Sequence, residues 1–270
     1  MPVNILYSII VGVVQGIAEW LPISSKTQVL IVSNALFGLP LVVAYAFGLF
    51  MEIGSVGSAL IYFRKDVISL IKDRKLLAYL VVVTVVTAII GVPIYFVVEH
   101  VLEGSYNVGI PMLILGVILI VNGAYIRRSR TSQKIGSLEE MKIKHYLAIG
   151  IAQGIAALPG VSRSGMTTST MLLMGVKPDV AFRLSFLAYI PAAIGAFMMT
   201  VLFSKKEVHA AIASIDTTGI LIAIASSALV GLVVISYLLK FAKSNKIYLV
   251  NFVLGIIAIV IGGITAVNFH

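Results

Sequence analysis

Six stretches of this chain are too long, too apolar and too poor in charge to sit in a soluble core. Residues 76–98, 184–203, 217–239 and 247–269 contain no Asp, Glu, Lys or Arg, 110–126 is shorter and also uncharged, and 41–63 contains one charge, Glu52. A helix needs about 20 predominantly apolar residues to cross the hydrocarbon core of a bilayer. The windows therefore predict six transmembrane helices in an all-α polytopic membrane protein. Composition agrees, since 60% of the 270 residues are apolar and 11% charged, against about 45–50% and about 25% in soluble domains. A soluble enzyme, a disordered chain and a secreted module are excluded. There is no cysteine, which removes disulfides, thiolate catalysis and Cys-based metal sites. His100, His145, His209 and His270 are not spaced as a metal pair, so a zinc site is not expected.

The net charge of +9 is read through membrane orientation, because Lys and Arg accumulate in cytoplasmic loops; a nucleic-acid partner is not expected. Loops 64–75, 127–145 and 240–246 hold 5, 6 and 3 Lys and Arg, whereas 99–109 and 204–216 hold 0 and 2. The three basic loops are expected to be cytoplasmic in a multi-pass protein of the cell membrane. The first basic residue is Lys26, so the charged start of a cleavable signal peptide is missing and none is expected.

Two apolar segments do not read as plain spans. Residues 3–39 are interrupted by Glu19, Pro22, Ser24, Ser25 and Lys26, and 146–176 by Pro159, Gly160, Ser162, Arg163, Ser164 and Gly165. Such breaks free backbone groups that lipid cannot satisfy. Each segment is therefore expected to be a re-entrant helix–loop–helix. The two resemble each other: Gln15-Gly16-Ile17-Ala18 leads to Leu21-Pro22 and Ser24-Ser25, and Gln153-Gly154-Ile155-Ala156 leads to Leu158-Pro159 and Ser162. Each precedes three spanning windows. The chain, 1–270, reads as one membrane domain built from two repeats, about 1–130 and 140–270, inverted relative to each other.

Ionisable residues inside a membrane are expensive and need a reason. Arg183 lies just after Pro178 and Asp179, where it can snorkel to the interface. Glu52 sits in mid-window. In the second break, Pro and Gly end one arm, Ser162 or Ser164 can cap the next, and the new helix N-terminus offers backbone N–H groups to an anion. Arg163 adds a planar fork suited to phosphate oxygens. In the first break Ser24, Ser25 and Lys26 can act likewise. Two such helix starts with an Arg and a Lys suit a diphosphate. Glu19 could hold a divalent cation or act as a base, and Ser24 or Ser25 could be a nucleophile. A capped helix break without chemistry is the plain alternative.

Residues 15–25, 159–167 and 182–191 together resemble the signatures of the undecaprenyl-diphosphatase family associated with bacitracin resistance. The resemblance runs through nearly the whole chain. It implies a membrane phosphatase that removes the terminal phosphate from a polyprenyl diphosphate, with six spanning helices and two re-entrant pairs. It also implies dependence on a divalent cation, Mg²⁺ or Ca²⁺. By matching positions, Glu19 is the catalytic carboxylate and possible metal ligand, Ser25 the nucleophile and Arg163 the phosphate-binding arginine. Ser162, Ser164, Gly165 and Thr167 line the same loop, and Gln15 takes the place of an acidic residue. This chain departs from the pattern where the family has a histidine, here Gln28, with Lys26 newly charged beside Ser25. Glu52 stands where the family usually has Gln, which suggests that it restores the lost acid/base group.

Two functions follow. One is the phosphatase; the other is a non-hydrolytic polyprenyl-phosphate transporter, flippase or binding protein of the same fold. A structural subunit without a ligand does not account for two polar breaks with matched serines. The partners expected are the lipid diphosphate and bilayer lipids, and a homodimer is compatible with the sequence.

Overall fold

The computed structural model describes residues 5–26, 28–29, 32–33, 41–101, 109–128, 134–158, 160–203, 217–243 and 247–268. Pro159, Thr27 and most of residues 99–109 and 204–216 lie outside them. Every window read as a span is a helix. These are α2 (Leu41–Tyr62), α4 (Arg74–Val101), α5 (Gly109–Arg128), α8 (Pro178–Phe203), α9 (Thr217–Ala242) and α10 (Ile247–Asn268). Four of them, α4, α8, α9 and α10, contain stretches long and apolar enough to cross a membrane by length and composition. With 22 and 20 residues, α2 and α5 rise roughly 30 Å at about 1.5 Å per residue. The protein is an all-α, polytopic membrane protein; among the described residues no strand forms, and one parallel bridge joins Ile135 to Val176.

The broken segments give shorter helices: α1 (Ile5–Ala18), α6 (Ile143–Ile155) and α7 (Arg163–Leu173). Two short elements interrupt stretches read as loops, α3 (Arg64–Ser69) and a 3₁₀ turn at Leu138–Glu140. Helix α7 ends in a Schellman motif, in which Val176 N donates to Met171 O and Gly175 N to Leu172 O. Gly175 has φ 85°, the left-handed conformation that glycine takes most easily.

The helices gather into two compact units. One comprises Met1–Trp20, Ser25–Val67 and Tyr189–Tyr237; the other comprises Leu21–Ser24, Ile68–Ala188 and Leu238–His270. Each draws on both halves of the chain. In the first, α1 packs on α9 through Gly12 and Gly16. A Cβ at Gly12 would lie 2.5 Å from Ala223 O, and one at Gly16 would lie 2.8 Å from Ser227 O. In the second, α6 packs on α4 through Gly150 and Gly154, where a Cβ would lie 2.6 Å from Val86 Cβ and 2.7 Å from Ile90 Cβ. There too α5 packs along α10, with Gly116 and Gly255 set against each other.

Lipid tails are as apolar as leucine, so close backbone approach and van der Waals contact drive such helix pairing. Gly12→Val is therefore expected to destabilise the fold by about 1–3 kcal/mol or more through overpacking. Thermal unfolding of the purified protein in detergent should show a midpoint several degrees lower.

Candidate active site

In the first unit, Gln15 lies one turn before Glu19, and the backbone still bonds helically there, Glu19 N to Gln15 O at 3.0 Å. The chain then breaks at a tight turn centred on Pro22, closed in the second unit by Ile23 N donating to Leu21 O at 2.7 Å. Proline's fixed φ suits that turn and its missing N–H prevents the helix from continuing. Helical backbone resumes at Ser25 and Lys26.

The side chains at this break converge on one carboxylate. Ser25 Oγ donates to Glu19 Oε2 at 2.7 Å, and Gln15 Nε2 donates to the same oxygen at 2.9 Å. Glu19 is 6% exposed and Gln15 fully buried. A serine hydroxyl within hydrogen-bond reach of a base is the arrangement of an activated nucleophile. Gln15 is held in turn, with Nε2 3.4 Å from Ser55 Oγ, which lies 3.2 Å from Ser227 Oγ. Trp20 is buried edge-on against Tyr189, with ring centroids 5.2 Å apart.

A divalent cation is implied by the family resemblance, and hard cations of this kind take oxygen ligands. Gln15 Oε1 is buried with no hydrogen-bond partner. The amide's orientation follows from its neighbour, because only the nitrogen can donate to the Glu19 carboxylate. The residues present thus fit the group through an orphaned amide oxygen beside a carboxylate. Among the described residues no three His, Cys, Asp or Glu side chains converge as a metal cage. One carboxylate and one carbonyl suit Mg²⁺ or Ca²⁺ that keeps waters and shares substrate oxygens.

Lys26 and Glu52 form an ion pair, Nζ to Oε1 3.3 Å. Glu52, read from the exchange at Gln28 as a replacement acid/base group, thus has Lys26 as an ion partner. Gln28 Nε2 is buried without a hydrogen-bond partner. Ser24 is buried and belongs to the second unit.

In the second unit, α6 gives way to tight turns, and Gly160 takes φ 83°, which a residue with a Cβ rarely adopts. Ser162 then caps α7, its Oγ accepting from Gly165 N at 3.2 Å. Such a cap is worth about 1 kcal/mol. Ser164 Oγ donates to Leu21 O at 2.8 Å, so the hydroxyls of the second motif meet the backbone of the first. Arg163 opens α7 and donates from Nη1 to Ser185 O at 3.3 Å. Thr167 is buried, donating to Arg163 O at 2.9 Å and lying 2.6 Å from Ser185 Oγ. Its hydroxyl is spent on holding the start of α7. Arg183 is exposed near the start of α8.

Sequence reasoning missed the supporting hydroxyls. Ser185 lies inside the third signature stretch and could have been found there. Ser55 lies one turn after Glu52 on α2, a spacing that places them on one face. Nothing in the sequence marks Ser227.

A bundle of apolar helices carrying a buried serine–carboxylate pair and an arginine at a capped helix start has the composition of a membrane hydrolase of anionic substrates. The chain belongs to the bacitracin resistance protein BacA family, whose profile matches residues 8–263. It is 56% identical to a protein named undecaprenyl-diphosphatase of Sulfurisphaera tokodaii, over 97% of this chain and 98% of the relative. Proteins of that name from Saccharolobus islandicus and Saccharolobus solfataricus are 54% and 49% identical, each over 96% of this chain and 97% and 95% of the relative.

Proposed function

We propose that this protein is a membrane phosphatase that hydrolyses a polyprenyl diphosphate, of undecaprenyl type, to the monophosphate lipid carrier and phosphate. The observation that carries the reading is the 2.7 Å hydrogen bond from Ser25 to Glu19. Ser25 Oγ attacks the terminal phosphorus, and its proton passes to Glu19. The anhydride P–O bond breaks and the lipid monophosphate leaves with the proton from Glu19. Water then attacks the phosphoserine, Glu19 takes its proton, and the proton returns to Ser25 as phosphate departs. By the family resemblance Arg163 is the phosphate-binding arginine, and the N–H groups opening α7 beside it suit an anion. Gln15 and Glu19 would hold the divalent cation, which when bound supplies further charge neutralisation.

The same reading places the protein in the cell membrane with its basic loops in the cytoplasm. Two contacts support a common side for them. Lys75 of the 64–75 stretch pairs with Glu139 of 127–145 at 3.1 Å. Arg127 lies over the Tyr248 ring, just beyond the 240–246 stretch, 5.9 Å from its centroid. An internal repeat is part of the reading as well. It is supported by the matched glycine pairs Gly12/Gly16 and Gly150/Gly154, each set against a spanning helix.

Chelation is the direct test of the cation. Phosphate release from a long-chain polyprenyl diphosphate should fall to background in EDTA and return with excess Mg²⁺ or Ca²⁺. Full activity in EDTA would remove the cation from the proposal.

A further inference from the structure

Glu52 is the only charge in the 41–63 window. Its side chain is 6% exposed, and its Oε1 lies 3.3 Å from Lys26 Nζ, on a side chain 28% exposed. Its backbone carbonyl accepts from Tyr189 OH at 3.3 Å, so the stretch of α2 that presents the carboxylate is anchored. A carboxylate this buried is strongly penalised without a partner, and a lysine offers three donors and no acceptor. Lys26 also directly follows Ser25, whose hydroxyl is held on Glu19. The ammonium paired with this internal anion thus belongs to the residue that follows the nucleophile in the chain.

We propose that Glu52 is the internal counter-ion of Lys26 and acts as a phosphate-release device: the diphosphate draws Lys26 away from Glu52, and Glu52 takes Lys26 back from the phosphate that hydrolysis frees. This rests on the phosphatase reading. The charge balance supports it. The substrate carries one phosphoryl group more than its lipid product, and free phosphate is a compact anion at neutral pH. Phosphate left against an uncompensated lysine would be held by a charge-assisted hydrogen bond, roughly twice as strong as a neutral one. A resident carboxylate competes for that donor at every turnover. Glu52 is therefore a positioning residue, acting on substrate and product through Lys26.

The test is inhibition by inorganic phosphate, with the full chain in detergent and polyprenyl diphosphate as substrate. Glu52→Gln keeps the shape and an oxygen acceptor but removes the competing charge. Its inhibition constant for phosphate should fall about tenfold, and KM and kcat should fall together, because both ligands now bind Lys26 without the Glu52 carboxylate competing for it, while release slows. A structural lesion or the loss of an acid/base group would lower kcat without tightening phosphate. The double variant Lys26→Met with Glu52→Gln replaces the pair by neutral side chains of similar size, a change that ion pairs often tolerate. It should raise KM several-fold and return phosphate inhibition to near the wild-type value. Glu52→Gln with unchanged phosphate inhibition, or a double variant with wild-type KM, would overturn the counter-ion role while leaving the phosphatase standing. Wild-type protein that releases no phosphate would overturn both.

Discussion

Arg163→Ala is expected to reduce phosphate release by about 10³-fold or more, with the protein still folded. Losing one preorganised donor to a developing oxyanion costs about 10²–10³ in turnover, and Arg163 brings a full charge and a fork as well. Its place follows from the local fold. Gly160 turns the chain at φ 83°, Ser162 caps α7, and Ser185 O accepts from Nη1. That carbonyl orients the guanidinium without neutralising it. Arg163→Lys should recover little, because a lysine supplies a point charge and cannot present two parallel donors. Melting temperatures of both variants, measured beside the phosphate assay, should stay within a few degrees of wild type, since the cap and Thr167 are untouched.

Ser25→Ala and Glu19→Gln should each lower turnover by about 10⁴-fold, the scale seen when a nucleophile or its base is removed. The sharper expectation concerns the pair. The two groups share one hydrogen bond of 2.7 Å and act as a unit, so the double variant should be little worse than either single one. Single-turnover phosphate release for the four proteins checks this. Losses that multiply in the double variant would mean that Ser25 and Glu19 serve different steps.

The features that carry this chemistry were unequally legible in the sequence. The spanning helices were plain, because a long uncharged window has few other stable homes, and their ends fell within a few residues of the windows. Helix α8 is the largest exception, starting at Pro178, well before residue 184, with Pro191 inside it. Neighbouring groups can satisfy the carbonyl that a proline leaves free in a membrane helix. The breaks at Pro22 and Gly160 and the cap at Ser162 were legible because each is a local rule about backbone donors. Helix α3 was not, because six residues holding two basic groups and one acid, Arg64, Lys65 and Asp66, read as a charged connection.

Long-range pairing was the least visible. Ser55, Ser185 and Ser227 share their apolar windows with other hydroxyls, such as Ser58, Thr200 and Ser226, and nothing periodic distinguishes one that meets a partner far along the chain. The isolated charge of Glu52 announced the need for a partner. The sequence suggests Glu52 as the group that compensates for Gln28, and the geometry adds its ion pair with Lys26. Only the folded backbone brings residues 26 and 52 together, and the alternation of chain segments between the two compact units is equally a property of the whole fold.

Hydrolysis itself is read out by one assay. Purified protein is given a long-chain polyprenyl diphosphate with Mg²⁺, and phosphate and lipid monophosphate are counted against Ser25→Ala and Arg163→Ala run in parallel. The expected result is one phosphate and one lipid monophosphate per diphosphate consumed, with both variants near background. Folded wild-type protein that binds the lipid and releases no phosphate would contradict it, and would favour a protein that carries the lipid without cutting it.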